Sequence, residues 1–172
     1  MLLIPVIFLD LLLILSPMAY FVAKKLNPLK ELGFKKIPLK DFLKKFFLIY
    51  LNLMIFSIII AAFATVIGIN DLVKVEEAVQ EILNLSPIFI AYLLVIRVLA
   101  EEIFFRGFLV NKFGIIPSSL LFGVAHIGYG SIAQIIGAFI LGMILAYAFK
   151  KNQNLYPNIV SHTAYNLTIL LF

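Results

Sequence analysis

The sequence contains no cysteine. That excludes a disulfide framework, thiolate metal ligands and a cysteine nucleophile. It is also poor in charge: Asp, Glu, Lys and Arg make up 13% of its 172 residues. An ordinary soluble domain carries about 25%. Histidine is scarce, with two in the chain. What is abundant is apolar: 63% of residues are hydrophobic and the mean hydropathy is +1.11. A chain this short has too much surface for its volume to hide that much apolar side chain from water. A soluble globular domain, a disordered chain and a collagen-like repeat are therefore excluded. A polytopic membrane protein remains.

The apolar residues fall into runs. Residues 1–23 lack a basic leading segment, so they read as a transmembrane helix rather than a secretory signal peptide. At 1.5 Å per residue they reach roughly 34 Å, enough to cross a bilayer. Further runs cover 46–69, 87–109, 115–128, 131–149 and 155–172. The run at 115–128 is short for a span and predicts a short, tilted or re-entrant helix. The fold class expected is all-α, a polytopic transmembrane helical bundle of about six membrane helices. No long-period repeat is evident. The chain divides into an N-terminal part, 1–85, and a core, 86–172, within one membrane domain.

Charge sorts the loops. Residues 24–45 hold eight lysines against Glu31 and Asp41. This predicts a cytoplasmic loop meeting anionic lipid headgroups, with an interfacial helix starting near Leu39. No feature calls for nucleic acid. Residues 70–85 are mostly acidic, with apolar positions at helical spacing, and predict an amphipathic outer surface helix. Lys112, Lys150 and Lys151 fall in loops on the same side as 24–45, and Lys74 falls on the other.

The polar groups left inside the apolar runs carry the functional reading. Charged groups in hydrocarbon cost at least about 2.5–3.5 kcal/mol each on insertion scales, so they persist when paired and usually when functional. The third run holds Arg97, Glu101, Glu102 and Arg106; the fourth holds His126; the last holds His162 and Asn166. Asp10 lies in the first. Arg97 with Glu101, and Glu102 with Arg106, are four apart and share a helix face. Adjacent Glu101 and Glu102 diverge by about 100°. If Arg106 holds Glu102, Glu101 is the freer carboxylate. Phe122 with His126, and His162 with Asn166, also share faces.

Such groups often serve as glue between membrane helices. Here the histidines and Asn166 lack a partner on their own helices. A carboxylate with a histidine can activate water, and a second histidine with an asparagine can donate to an oxyanion. No serine or threonine has an evident base beside it, since Ser161 and Thr163 leave the face of His162. A zincin helix is absent, but two histidines and a glutamate are zinc-type ligands. A non-catalytic membrane scaffold or immunity protein and a proton or ion pathway are the other classes open to such groups.

The motifs Glu101-Glu102-x-x-x-Arg106 (followed by Gly107), Phe122-x-x-x-His126 and His162-x-x-x-Asn166, in this order on apolar segments, resemble those of the CAAX protease and bacteriocin-processing family of intramembrane proteases. That family is related to type II CAAX prenyl endopeptidases. The resemblance covers roughly 86–170. It implies Glu101 as general base with His126, acting on a water, and His162 with Asn166 as the oxyanion-stabilising pair. Glu102 and Arg106 would be supporting residues. A metal-free mechanism is favoured; were a metal used, Glu101, His126 and His162 would hold zinc. The implied partners are the bilayer and a peptide or lipidated, CAAX-type protein substrate. The implied setting is a multi-pass protein of a prokaryotic plasma membrane, with the site towards the cytoplasmic half.

Overall fold

The computed structural model describes residues 3–69 and 71–171. Among these residues it is helical throughout, with no strand. Helix α1 is Leu3–Ala23. A four-residue helix, α2, follows at Pro28–Glu31, capped by the Asn27 side chain. Helix α3 is Leu39–Val66. The expected interfacial helix near Leu39 is therefore not separate: no proline or glycine interrupts the chain between Pro38 and Gly68, so the second run continues its first turns. The amphipathic segment forms α4, Leu72–Leu83. Its Val75, Val79 and Ile82 are half-buried and Glu76, Glu77 and Glu81 are exposed.

Helix α5 is Pro87–Phe113, meeting α4 at a bend of 119°. Ser86 accepts from the Phe89 amide and Pro87 takes the first turn, where a missing N–H costs nothing. The helix outruns the expected end at 109, because Asn111–Phe113 stay helical until Gly114 turns out at φ +91°. Two stretches of α5, Leu93–Arg97 and Glu102–Val110, are wound as wide π turns, a form that recurs at functional sites. Each has a carbonyl taken by a neighbouring helix: Leu94 accepts from Thr163 Oγ1 at 2.9 Å and Phe105 from Ser118 Oγ at 2.6 Å.

Helix α6, Ile115–Val124, has ten residues and stops short of the expected 128. Its length of about 15 Å cannot cross a bilayer alone. A 3₁₀ turn at Ile127–Tyr129 leads to α7, Ile132–Asn152, and α8, Leu155–Leu171, completes the bundle. α6 packs along α7, and α3 packs against α7 and α8. The α6–α7 approach is tight: a Cβ on Gly123 would lie 3.0 Å from the Ile135 carbonyl, and one on Gly142 3.0 Å from the Phe122 ring. Small residues at such contacts are how membrane helices approach closely.

Among the described residues, three helices are long and apolar enough to cross a membrane: Ile4–Ala23, Leu39–Val66 and Ile132–Asn152. A fourth is reached if α4 and α5 count as one broken span. The expectation of about six is thus met in part. α5 carries five charges, α6 is too short, and α8 has 17 residues. The outer faces of α1 and α3 are strongly apolar, with Phe8, Leu15, Leu48, Ile58 and Phe63 exposed. Large apolar surfaces of this kind belong in lipid. The protein is an integral membrane protein.

The two ends of the bundle differ. At one, the lysine-rich segment meets the ends of α5 and α7: Asn111 Nδ2 donates to Glu31 O at 3.2 Å, Asn154 Nδ2 to Lys35 O at 2.7 Å, and Lys112 Nζ lies 4.1 Å from the Tyr20 ring centroid. At the other, Asp71 caps α7 by accepting from the Ile132 and Ala133 amides and the Ser131 hydroxyl, while Lys74 Nζ donates to Gly130 O at 2.9 Å. Partial desolvation against this helix end pushes the Asp71 carboxyl up, but the amide bonds from Ile132 and Ala133, then Ser131 and Lys74, bring it below its ordinary value of 3.8.

Candidate active site

The four residues marked as catalytic by the sequence motifs face one space. Glu101 on α5, His126 beyond α6, and His162 and Asn166 on α8 all line a cavity of 490 Å³. Val75, Val79 and Ile82 of α4 form part of its wall, with Arg97, Tyr129 and Tyr165. A smaller pocket of 140 Å³ adjoins it, sharing His126, His162 and Asn166.

The adjacent glutamates part as their helical positions require. Glu102 is fully buried. Its Oε1 lies 3.0 Å from Arg106 Nη1 and 2.9 Å from His162 Nδ1, and Asn158 Nδ2 donates to its Oε2 at 3.3 Å. Asn158 also donates to Leu145 O at 2.8 Å, tying this cluster to α7. Arg106 meets Glu102 as an ion pair without aligned hydrogen bonds, and its guanidinium lies 4.0 Å from the Phe122 ring centroid. That ring supplies the face on which a weakly hydrated guanidinium stacks. Glu101 is 8% exposed and opens on the cavity. Arg97 Nε lies 3.3 Å from its Oε1.

Hydrogen bonding settles one tautomer. His126 Nδ1 is 2.7 Å from Phe122 O. A carbonyl only accepts, so Nδ1 carries the proton and Nε2 keeps a lone pair in the neutral ring. His162 Nδ1 faces the Glu102 carboxylate, which leaves its Nε2 for the cavity. Phe122 packs against both imidazoles, with centroids 4.7 Å from His126 and 6.0 Å from His162, and Tyr129 stacks on His126 at 5.9 Å.

Both Nδ1 atoms are committed and one oxygen of Glu101 faces Arg97, and among the described residues no three His, Asp or Glu groups converge on one point. A zinc site normally brings three or four ligands to one point.

The model of the type II CAAX prenyl endopeptidase Rce1-like family matches residues 83–168. The chain belongs to that family. None of the curated proteins and none of the solved structures matches it. All three motifs of this Rce1-like chain lie within the matched residues, which span the chain from the end of α4 into α8.

With α5 running to Phe113, Glu101 stands twelve residues from that end, roughly 18 Å. The cavity walls come from the halves of α3, α5 and α8 that lie away from the lysine-rich end, and from α4. The cavity thus lies beside α4. His126 reaches this level because α6 stops early.

Three polar residues at the site carry no role in the sequence reading. Asp10, on α1, is 3.0 Å from Arg97 Nη1 and accepts from the Tyr92 hydroxyl at 2.8 Å. Asn158 holds Glu102. The signal for Asp10 was present: an acid inside an apolar run calls for a partner. Tyr92 and Asn158 gave none, since neither is costly near a helix interface.

Proposed function

We propose that this Rce1-like protein is an intramembrane endopeptidase that hydrolyses a peptide bond with a water activated by Glu101 and His126. The observation that carries this reading is the convergence of Glu101, His126, His162 and Asn166 on one cavity inside an apolar bundle. Glu101 takes a proton from water as its oxygen attacks the peptide carbonyl. The Nε2 lone pair of His126 accepts from that water and holds it, and the proton taken by Glu101 is then handed to the leaving amine as the C–N bond breaks. Asn166 and His162, the latter held by Glu102, stabilise the developing oxyanion. Glu102 and Arg106 support His162 and contact no substrate. The chemistry needs no metal. The substrate class is a peptide or lipidated protein segment of CAAX type, and the setting is a prokaryotic plasma membrane.

The test is cleavage of a farnesylated CAAX peptide by the purified chain in detergent, with and without a chelator. The wild type should cleave in both conditions. Glu101→Gln should lower kcat by at least about 10²-fold, the lower bound for losing a general base. Cleavage at the wild-type rate by Glu101→Gln sinks the assignment. Proton flux through reconstituted protein without hydrolysis would favour an ion pathway, and tight partner binding without turnover a scaffold.

A further inference from the structure

Helix α1 faces lipid, with Ile4, Phe8 and Leu15 exposed, yet Asp10 on the same helix is 1% exposed. Both of its carboxylate oxygens are occupied. Oδ1 accepts from Arg97 Nη1 at 3.0 Å and Oδ2 from the Tyr92 hydroxyl at 2.8 Å. Arg97 reaches onward through Nε to Glu101 Oε1 at 3.3 Å. One guanidinium therefore bridges a buried acid of α1 and the carboxylate that opens on the cavity. Asp10 lies outside the residues matched by the family model.

We infer that Asp10 is a positioning residue for Glu101, acting through Arg97, so that α1 completes the catalytic unit. This rests on the endopeptidase reading above. A free arginine side chain has many rotamers, and a guanidinium left with one carboxylate tends to take both its oxygens in a forked pair. That fork would cover the oxygen Glu101 needs for water. With Nη1 held by Asp10, the guanidinium meets Glu101 through Nε, on Oε1 alone. That contact leaves Oε2 for the water. Tyr92 fixes Asp10 in turn. Asp10 touches no substrate and moves no proton.

The experiment measures kcat and KM on the full chain with the farnesylated peptide as probe. Asp10→Asn should lower kcat about tenfold or more with KM within about twofold, since an interaction acting on the chemical step is lost and uniform binding is kept. Asp10→Glu should recover part of kcat. Tyr92→Phe should lower kcat less, again with KM unchanged. A monodisperse Asp10→Asn protein with wild-type kcat overturns the proposal, as does a loss confined to KM. If Asp10→Asn fails to fold, an unaltered kcat in Tyr92→Phe overturns it. A wild-type chain that cleaves nothing, or a Glu101→Gln variant that cleaves normally, refutes the endopeptidase reading and this proposal with it.

Discussion

Exchanging Glu102 for Gln should cost far more stability than exchanging Glu101 for Gln. Glu102 is the counter-charge of Arg106, and both are buried, at 0% and 1% exposure. Removing it strands a cation in the bundle, and breaking a buried pair in this way costs about 3–5 kcal/mol. Glu101 shares Arg97 with Asp10, so its removal leaves that cation partnered. Thermal unfolding of the two variants in detergent, side by side, checks the difference; equal melting temperatures would contradict it. The sequence showed much of this. Spacing alone placed Arg97 with Glu101 and Glu102 with Arg106, and the motifs named the residues that line the cavity. The Asp10–Arg97 contact was hidden because its partners stand 87 positions apart, and no helical periodicity spans that distance.

At the scale of elements, α4 and α7 are joined by Asp71. Its carboxyl sits below 3.8 in the folded protein. A lowered folded value means the stabilisation is full above the unfolded value and is lost as pH falls through the folded one. The wild type should therefore lose melting temperature between roughly pH 5 and 3, and Asp71→Asn should start lower and decline less over that range. A parallel decline in both proteins would show that the cap does not contribute. Elements were legible where punctuation marks them: Ser86-Pro87 opens α5, and Gly114 closes it. They were misjudged where polarity was taken for an ending. Asn111 and Lys112 read as loop, yet Asn111 Nδ2 donates to the Gly107 carbonyl at 2.9 Å and Lys112 lies over Tyr20, so the helix continues through them. The shortness of α6 was legible in the length of the run 115–128, but its stop at Val124 was not, because hydropathy does not distinguish a helix from an apolar turn.

At the scale of the molecule, a cysteine-free chain is ready for site-directed labelling. The lysine-rich end and the α4 end lie at opposite ends of the bundle. In sealed vesicles, Lys35→Cys and Glu77→Cys should react with a membrane-impermeant maleimide from opposite faces, with Lys35→Cys on the cytoplasmic one. Labelling of both from one face would refute the arrangement. The fold class was readable from composition, and the grouping of loops from lysine count. The place of the cavity beside α4 was not, because it depends on where α4 folds over α5. The lining of the cavity also stops short of the lysine-rich end. Beneath His162 lie Glu102, Arg106, Asn158 and Phe149, each at most 1% exposed. An enzyme that admits water to mid-bilayer must not let a file of water run through to the other side, since protons would follow it. Here the buried cluster that holds the histidine also stands between the cavity and the lysine-rich end. Any change that loosens Arg106 from Phe122 would then compromise the membrane as a barrier, and not only the reaction.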